Sequence, residues 1–223
     1  VSIHRSFHRF AVLRVVSFGL AGCLGLAGLS GCVPLVMGGA VVATGLSVLD
    51  RRTMGTQLDD ESIETRGMAR LKERLGDRAH INIVSYNRQV LLTGEVMSER
   101  DRQLAEQAIA GLDNVRTIIN ELAVLGHSTL TQQSSDAGVT LRVKTSMIDT
   151  RDFNAHVIKV VTERGIVYLM GRVTEREADR ATDIARRTTG VQKVVRLFEL
   201  ISEEERLALE NPSGRRRPGQ PAY

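Results

Sequence analysis

The chain has no tryptophan, and aromatic residues make up only 4% of its 223 positions. Sugar platforms and base-stacking surfaces are built from aromatic rings, so the scarcity argues against both. A large excess of one charge is also missing, with 30 Lys and Arg against 26 Asp and Glu. Three of those arginines, Arg5, Arg9 and Arg14, lie in residues 1–31, which hold no acid; the rest balances 27 against 26. A general nucleic-acid binder needs a basic surplus to neutralise phosphates and is not supported. No Gly-x-Gly-x-x-Gly loop is present to cradle a phosphate. Beyond residue 31 the histidines are His80, His127 and His156, and no clustered set of four ligands accompanies them. The chain is therefore read as having no catalytic residues, no metal and no cofactor.

What is present begins with an export signal. Arg5, Arg9 and Arg14 form a positive n-region, and residues 15–29 form an uncharged apolar stretch short for a membrane span. It ends in Leu29-Ser30-Gly31-Cys32, which resembles the lipobox of bacterial lipoprotein signals. A second match ends at Cys23, but cleavage there leaves only eight apolar residues after Arg14, so Cys32 is preferred. The lipobox implies that Cys32 is acylated and becomes the new N-terminus, leaving no thiol for a disulfide, nucleophile or metal. An uncleaved signal anchor is the other reading of the same flanks. Val33 follows; the resemblance to Gram-negative lipoproteins implies that an Asp there would favour the inner membrane, and its absence points to the outer one. Residues 33–49 are uncharged and rich in Val, Gly and Ala, and read equally as an interfacial segment or a flexible tether.

Hydrophobic content of 42% and charged content of 25% are those of a globular protein. One unit occurs twice. Residues 166–177 read Ile-Val-Tyr-Leu-Met-Gly-Arg-Val-Thr-Glu-Arg-Glu: a β-branched run, a glycine, then a Thr-x-x-Glu capping box that opens a helix. Residues 90–101 repeat the pattern, with Gly94 matching Gly171 and Ser98 at the cap. These structural glycines predict a bulge or a close backbone approach. The registers agree at an offset of 77 around the glycine and 76 after the helix (Val115 with Val191). A helical stripe precedes each pair of strands: Ile63, Gly67, Leu71 and Leu75 in the first unit, Val139, Val143 and Met147 in the second. Asn87-Arg88 and Glu163-Arg164-Gly165 supply the hairpin turns.

The expected fold class is α+β: two tandem α-β-β-α-β units, each a small three-stranded mixed sheet with two helices on one face. The expected boundaries are 1–31 for the signal peptide and 32–62 for a lipidated N-terminus and polar linker. The first domain takes 63–125, a Ser/Thr/Gln-rich linker 126–137, the second domain 138–201, and a disordered basic tail 202–223. Asp59, Asp60 and Glu61 are expected to favour a following helix N-terminus electrostatically. Arg172, Arg176 and Arg180, interleaved with acids, read as a solvated face. Glu203–Glu210 is expected to prolong a helix, and Arg215, Arg216 and Arg217 read as a solvated end or as an added attraction to anionic lipid.

The lipobox, the Val/Ala/Gly stretch, Gly55-Thr56-Gln57-Leu58-Asp59-Asp60 and the two units together resemble the dual BON-domain outer-membrane lipoproteins of the DolP (YraP) type, relatives of the OsmY proteins. The resemblance spans about residues 29–201. It implies a lipid-anchored protein on the periplasmic face of the outer membrane, with no enzymatic activity. It would bind anionic phospholipid such as phosphatidylglycerol through the second domain and support envelope integrity. Its first helix there is the lipid-facing element, which nominates Val139, Arg142, Val143, Lys144 and Met147. The alternative the resemblance carries is a protein–protein adaptor on the outer-membrane β-barrel assembly machinery.

Overall fold

The computed structural model describes residues 50–125, 130–150 and 153–210. Cys32, the expected signal of residues 1–31 and residues 211–223 lie outside the described residues. In the first domain, α1 (Met54–Leu75) is capped by Thr53, whose hydroxyl accepts from Thr56 N at 3.1 Å. The stripe Ile63, Gly67, Leu71 and Leu75 is buried. A hairpin of β1 (Ala79–Tyr86) and β2 (Gln89–Val96) follows, then α2 (Glu99–Ala110), capped by Ser98. The last strand is split into β3 (Thr117–Asn120) and β4 (Ala123–Val124). Both run parallel to β2 in one register, Gln89 against Thr117 and Val96 against Val124, so they form one lane interrupted at Glu121 and Leu122. The second domain repeats the order as α3 (Leu130–Thr150), β5 (Ile158–Glu163), β6 (Ile166–Val173), α4 (Glu175–Arg187) and β7 (Lys193–Leu200). A further helix, α5 (Glu203–Glu210), completes the described chain and corrects the expected disordered tail of 202–223, since Glu205 and Glu210 are paired with Arg172 and Arg51.

Both hairpins turn through two residues with positive φ, Asn87 and Arg88 in one and Arg164 and Gly165 in the other. Such turns match the strands' right-handed twist but cost non-glycine residues strain. Each is held by a buried aspartate from the first helix of its own domain. Asp60 accepts from Asn87 N at 2.8 Å and Arg88 N at 2.7 Å; Asp136 accepts from Arg164 N at 2.7 Å and Gly165 N at 2.9 Å. Asp60 also takes the Ser85 hydroxyl and pairs with Arg52. This corrects the reading of the 59–61 acidic cluster. It lies inside α1, and Asp60 acts as a turn anchor.

Neither hairpin carries a bulge, since the β1–β2 and β5–β6 registers are unbroken. The matched glycines sit where backbones crowd. A Cβ on Gly94 (φ 110) would lie 2.0 Å from the His80 carbonyl oxygen, and one on Gly171 2.7 Å from that of Val157.

Each sheet packs one face on its own helices, through Ile83, Val90 and Leu92 in domain 1 and Val160, Val167 and Leu169 in domain 2. The opposite faces pack on each other through Val84, Tyr86 and Leu91 against Val161, Tyr168 and Met170. The central strands β2 and β6 are thus buried on both sides, which is why their sequences run apolar without alternation. Between the domains Tyr86 donates to Val157 O at 3.3 Å, and Lys159 donates to Glu64 at 2.8 Å.

The two expected linkers are shorter than the sequence suggests. Helix α1 starts ahead of residue 63, and α3 covers residues 130–137 although they lack an apolar period. Tertiary contacts override local propensity there, with Asp136 on its hairpin and Gln133 Nε2 3.4 Å from His80 Nε2. Residues 50–52 are packed as well. The Arg51 side chain is 2% exposed and grips Glu177 at 2.7 and 2.8 Å, Glu210 at 2.7 Å and Arg172 O at 2.8 Å. Glu177 at the same time completes the α4 capping box with Thr174. Burial pushes its carboxyl up, but the Arg51 guanidinium and the Thr174 N–H outweigh that and hold it below the usual glutamate range.

Candidate lipid-facing groove on the second domain

Helix α3 carries the residues nominated for lipid contact, and the structure divides them. Val139, Val143 and Met147 are at most 2% exposed, packed in the core of domain 2 with Val160, Leu169 and Ala181. This corrects their assignment as lipid contacts: the stripe with four-residue spacing is the helix's inward face, as Ile63, Gly67 and Leu71 are in α1. Arg142 and Lys144 are exposed. Missed by the sequence reading are Leu141 and Ile148, 66% and 53% exposed and two turns apart on the outer face. Lys144 and Thr145 lie between them in the chain and are exposed too.

Beside this face a groove of about 620 Å³ runs between α3 and α4, lined by Leu141, Arg142 and Thr145 on one side and Arg180, Ile184 and Arg187 on the other. Asp183 is the only acid in its lining among the described residues. Arg142 Nε donates to Thr189 O at 3.1 Å, just past the end of α4, which fixes the stem and sets the charge at the groove's rim. Aligning the core stripes pairs Ile63 with Val139 and so Arg70 with Ser146. In domain 1 the Arg70 guanidinium fills the space between the helices, reaching Ala108 O at 3.4 Å. In domain 2 the small Ser146 leaves that space open. The same alignment sets Thr65 and Lys72 opposite Leu141 and Ile148, so only the second domain exposes two large aliphatic groups there.

The other nominated features resolve simply. Arg172 departs from the expected solvated face: it lies on β6, its side chain is 16% exposed, and it bonds Glu199, Glu205 and Arg51 O, whereas Arg176 is exposed, 3.9 Å from Glu203. His80 meets Glu95 at 3.2 Å, whereas the His156 side chain is exposed, so the two form no pair. Among the described residues no three His, Cys, Asp or Glu side chains gather as a metal site, and no helix is long and apolar enough to cross a membrane.

The BON domain family model matches residues 59–126 and again 135–201. The Haemophilus influenzae outer membrane lipoprotein DolP is 36% identical over 175 residues, covering 78% of this chain and 90% of that one. The 21 kDa hemolysin of Actinobacillus pleuropneumoniae is 34% identical, covering 69% and 80%. Osmotically-inducible protein Y of Escherichia coli is 25% identical, covering 63% and 72%. The duplicated α-β-β-α-β unit and these similarities agree: the chain belongs to the BON-domain family and carries two BON domains in tandem.

Proposed function

We propose that this protein is an outer-membrane lipoprotein, acylated at Cys32 and facing the periplasm. Its second BON domain docks on anionic phospholipid, of the phosphatidylglycerol kind, and so supports envelope integrity. Its work is binding, not bond-making. The reading is supported by the lipobox at Cys32 and by similarity to a relative named an outer membrane lipoprotein. The observation that carries the lipid contact is the outer side of α3, where Leu141 and Ile148 stand out beside Arg142 and Lys144 next to an open groove. Aliphatic side chains inserted at the headgroup boundary and cations facing lipid phosphate make an interfacial helix.

The test is sedimentation with phosphatidylglycerol vesicles at low salt. A basic residue near an anionic surface contributes about 1 kcal/mol. Reversing Arg142 and Lys144 to Glu removes two such contributions, so the affinity falls roughly thirtyfold or more. Neutral phosphatidylcholine vesicles should bind weakly whichever variant is used. Undiminished binding by the double variant would refute the lipid role of α3 and favour the adaptor reading, in which the outer-membrane assembly machinery is the partner.

A further inference from the structure

The junction between the two sheets has two ends, related by the duplication but chemically unlike. At one end Tyr86 of domain 1 reaches domain 2 and donates its hydroxyl to Val157 O. The residue at the matching place in domain 2, 77 positions on, is Glu163. It ends β5 and lines a cleft of about 520 Å³ between the domains, together with His80 of β1 and Asp136 of α3. The same offset places Arg172 in domain 2 where domain 1 has Glu95. One end thus has a neutral hydroxyl and a cation where the other has two carboxyl groups.

The carboxylate end is poorly satisfied. Glu95 is 0% exposed, and its Oε1 has no hydrogen-bond donor; the nearest cation is Arg164 at 3.6 Å. Thr93 Oγ1, two residues earlier on the same face of β2, is buried too, and its hydroxyl faces Glu163. The groups facing Glu163 are His80 from β1, Glu95 and the Thr93 hydroxyl from β2, Asp136 from α3 and Tyr168 from β6, while Arg164 on its own hairpin turns to Glu95. Lys159 shares the cleft but is bonded to Glu64 and Ser85 O. Arg164 is shared with Glu95, and Asp136 is occupied with turn amides, so the end holds more negative charge than its cations offset.

We infer that Glu163 is an acid-sensitive latch between the domains: it takes up a proton as the medium acidifies, and the docking of the two BON domains tightens as it does. Protonation removes one of the crowded negative charges and supplies an O–H donor at an end where the buried Glu95 Oε1 lacks one. The direction of titration agrees. Burial raises the Glu163 carboxyl, Glu95 and Asp136 raise it further, and His80 and the Thr93 hydroxyl pull down less strongly. A carboxyl raised on folding favours the native state as pH falls through its folded value, and the gain is complete below the ordinary glutamate value of 4.5. This latch is separate from the lipid-facing side of α3 and needs no lipid.

Two measurements on the full chain test it. Carboxyl carbon NMR should give a Glu163 midpoint above that of an ordinary glutamate, and Glu95→Gln should lower it, because the coupling crosses the domain junction. Glu163→Gln copies the protonated state, so its melting temperature should exceed the wild type's at neutral pH. That difference should shrink toward zero as the pH approaches the ordinary glutamate range. A Glu163 midpoint at or below the ordinary value overturns the latch, as does a Glu163→Gln variant less stable by the same margin at every pH.

Discussion

Replacing Arg51 by alanine tests how far the chain ahead of α1 belongs to the folded body. The guanidinium makes four bonds of 2.7–2.8 Å and closes a bidentate pair on Glu177, whose side chain is 3% exposed. Deleting one partner of a buried pair leaves an uncompensated charge and costs about 3–5 kcal/mol. Glu177 keeps its bond from Thr174 N at 2.9 Å, and Arg51 Nε is itself buried without a partner, so the lower end, about 3 kcal/mol, is expected. For a body of this size that is a melting-temperature loss of roughly 6–12 °C by circular dichroism. Adding Glu177→Gln should restore part of it, because the glutamine still caps α4 and carries no charge. The pair has a pH signature too. Glu177 is held below its ordinary value of 4.5, so its contribution is complete above that value and is lost as pH falls through the folded value. The gap between wild type and Arg51→Ala should therefore narrow in acid. A loss within about 0.5 kcal/mol, as for a surface residue, refutes the clamp, as does a double variant no better than the single one.

Gly94→Ala places a Cβ against the His80 carbonyl at positive φ, so it should cost about 3 kcal/mol or more by denaturant unfolding; Gly171→Ala, less crowded, should cost less. Asp60→Ala strips two turn amides, the Ser85 hydroxyl and the Arg52 pair, and should destabilise by about 2–4 kcal/mol, more than Asp136→Ala, which serves two turn amides and Gln132. Tyr86 is pushed up to about 12, first by burial and then by Asp50, against an ordinary 10.0. Its neutral form favours the fold, so stability should fall as pH rises from about 10 toward 12, with Tyr86 ionising late in an ultraviolet titration.

The duplicated unit was legible because its signals are local. The capping box at Thr174, the Ser98 N-cap, turns at 87–88 and 163–165, and four-residue stripes each need only a short window. The shift from an offset of 77 to 76 reappears as the registers Gln89–Thr117 and Ile166–Lys193. What failed to show was long-range and polar. Arg51 and Glu177 are 126 residues apart, and neither looks unusual beside its neighbours. The turn anchors Asp60 and Asp136 sit more than twenty-five residues from the amides they hold, and so passed as linker charge. The candidate site was half legible. A resemblance nominates a helix, but only periodicity tells its faces apart. The stripe that marks Val139, Val143 and Met147 marks burial, which leaves the outer side to Leu141, Arg142, Lys144 and Ile148. Residues 90–92 of β2 and 166–170 of β6 are apolar without alternation, as strands covered on both faces are, but the reading placed helices on one face and left the other open.

Because the chain has no tryptophan, Leu141→Trp is a single fluorescent reporter on the outer face of α3. With vesicles of brominated phosphatidylglycerol its emission should shift to the blue and be quenched, while Thr65→Trp, at the matching place in domain 1, should respond little. Emission from position 141 that stays water-like and unquenched on vesicles that have bound the protein would contradict the account.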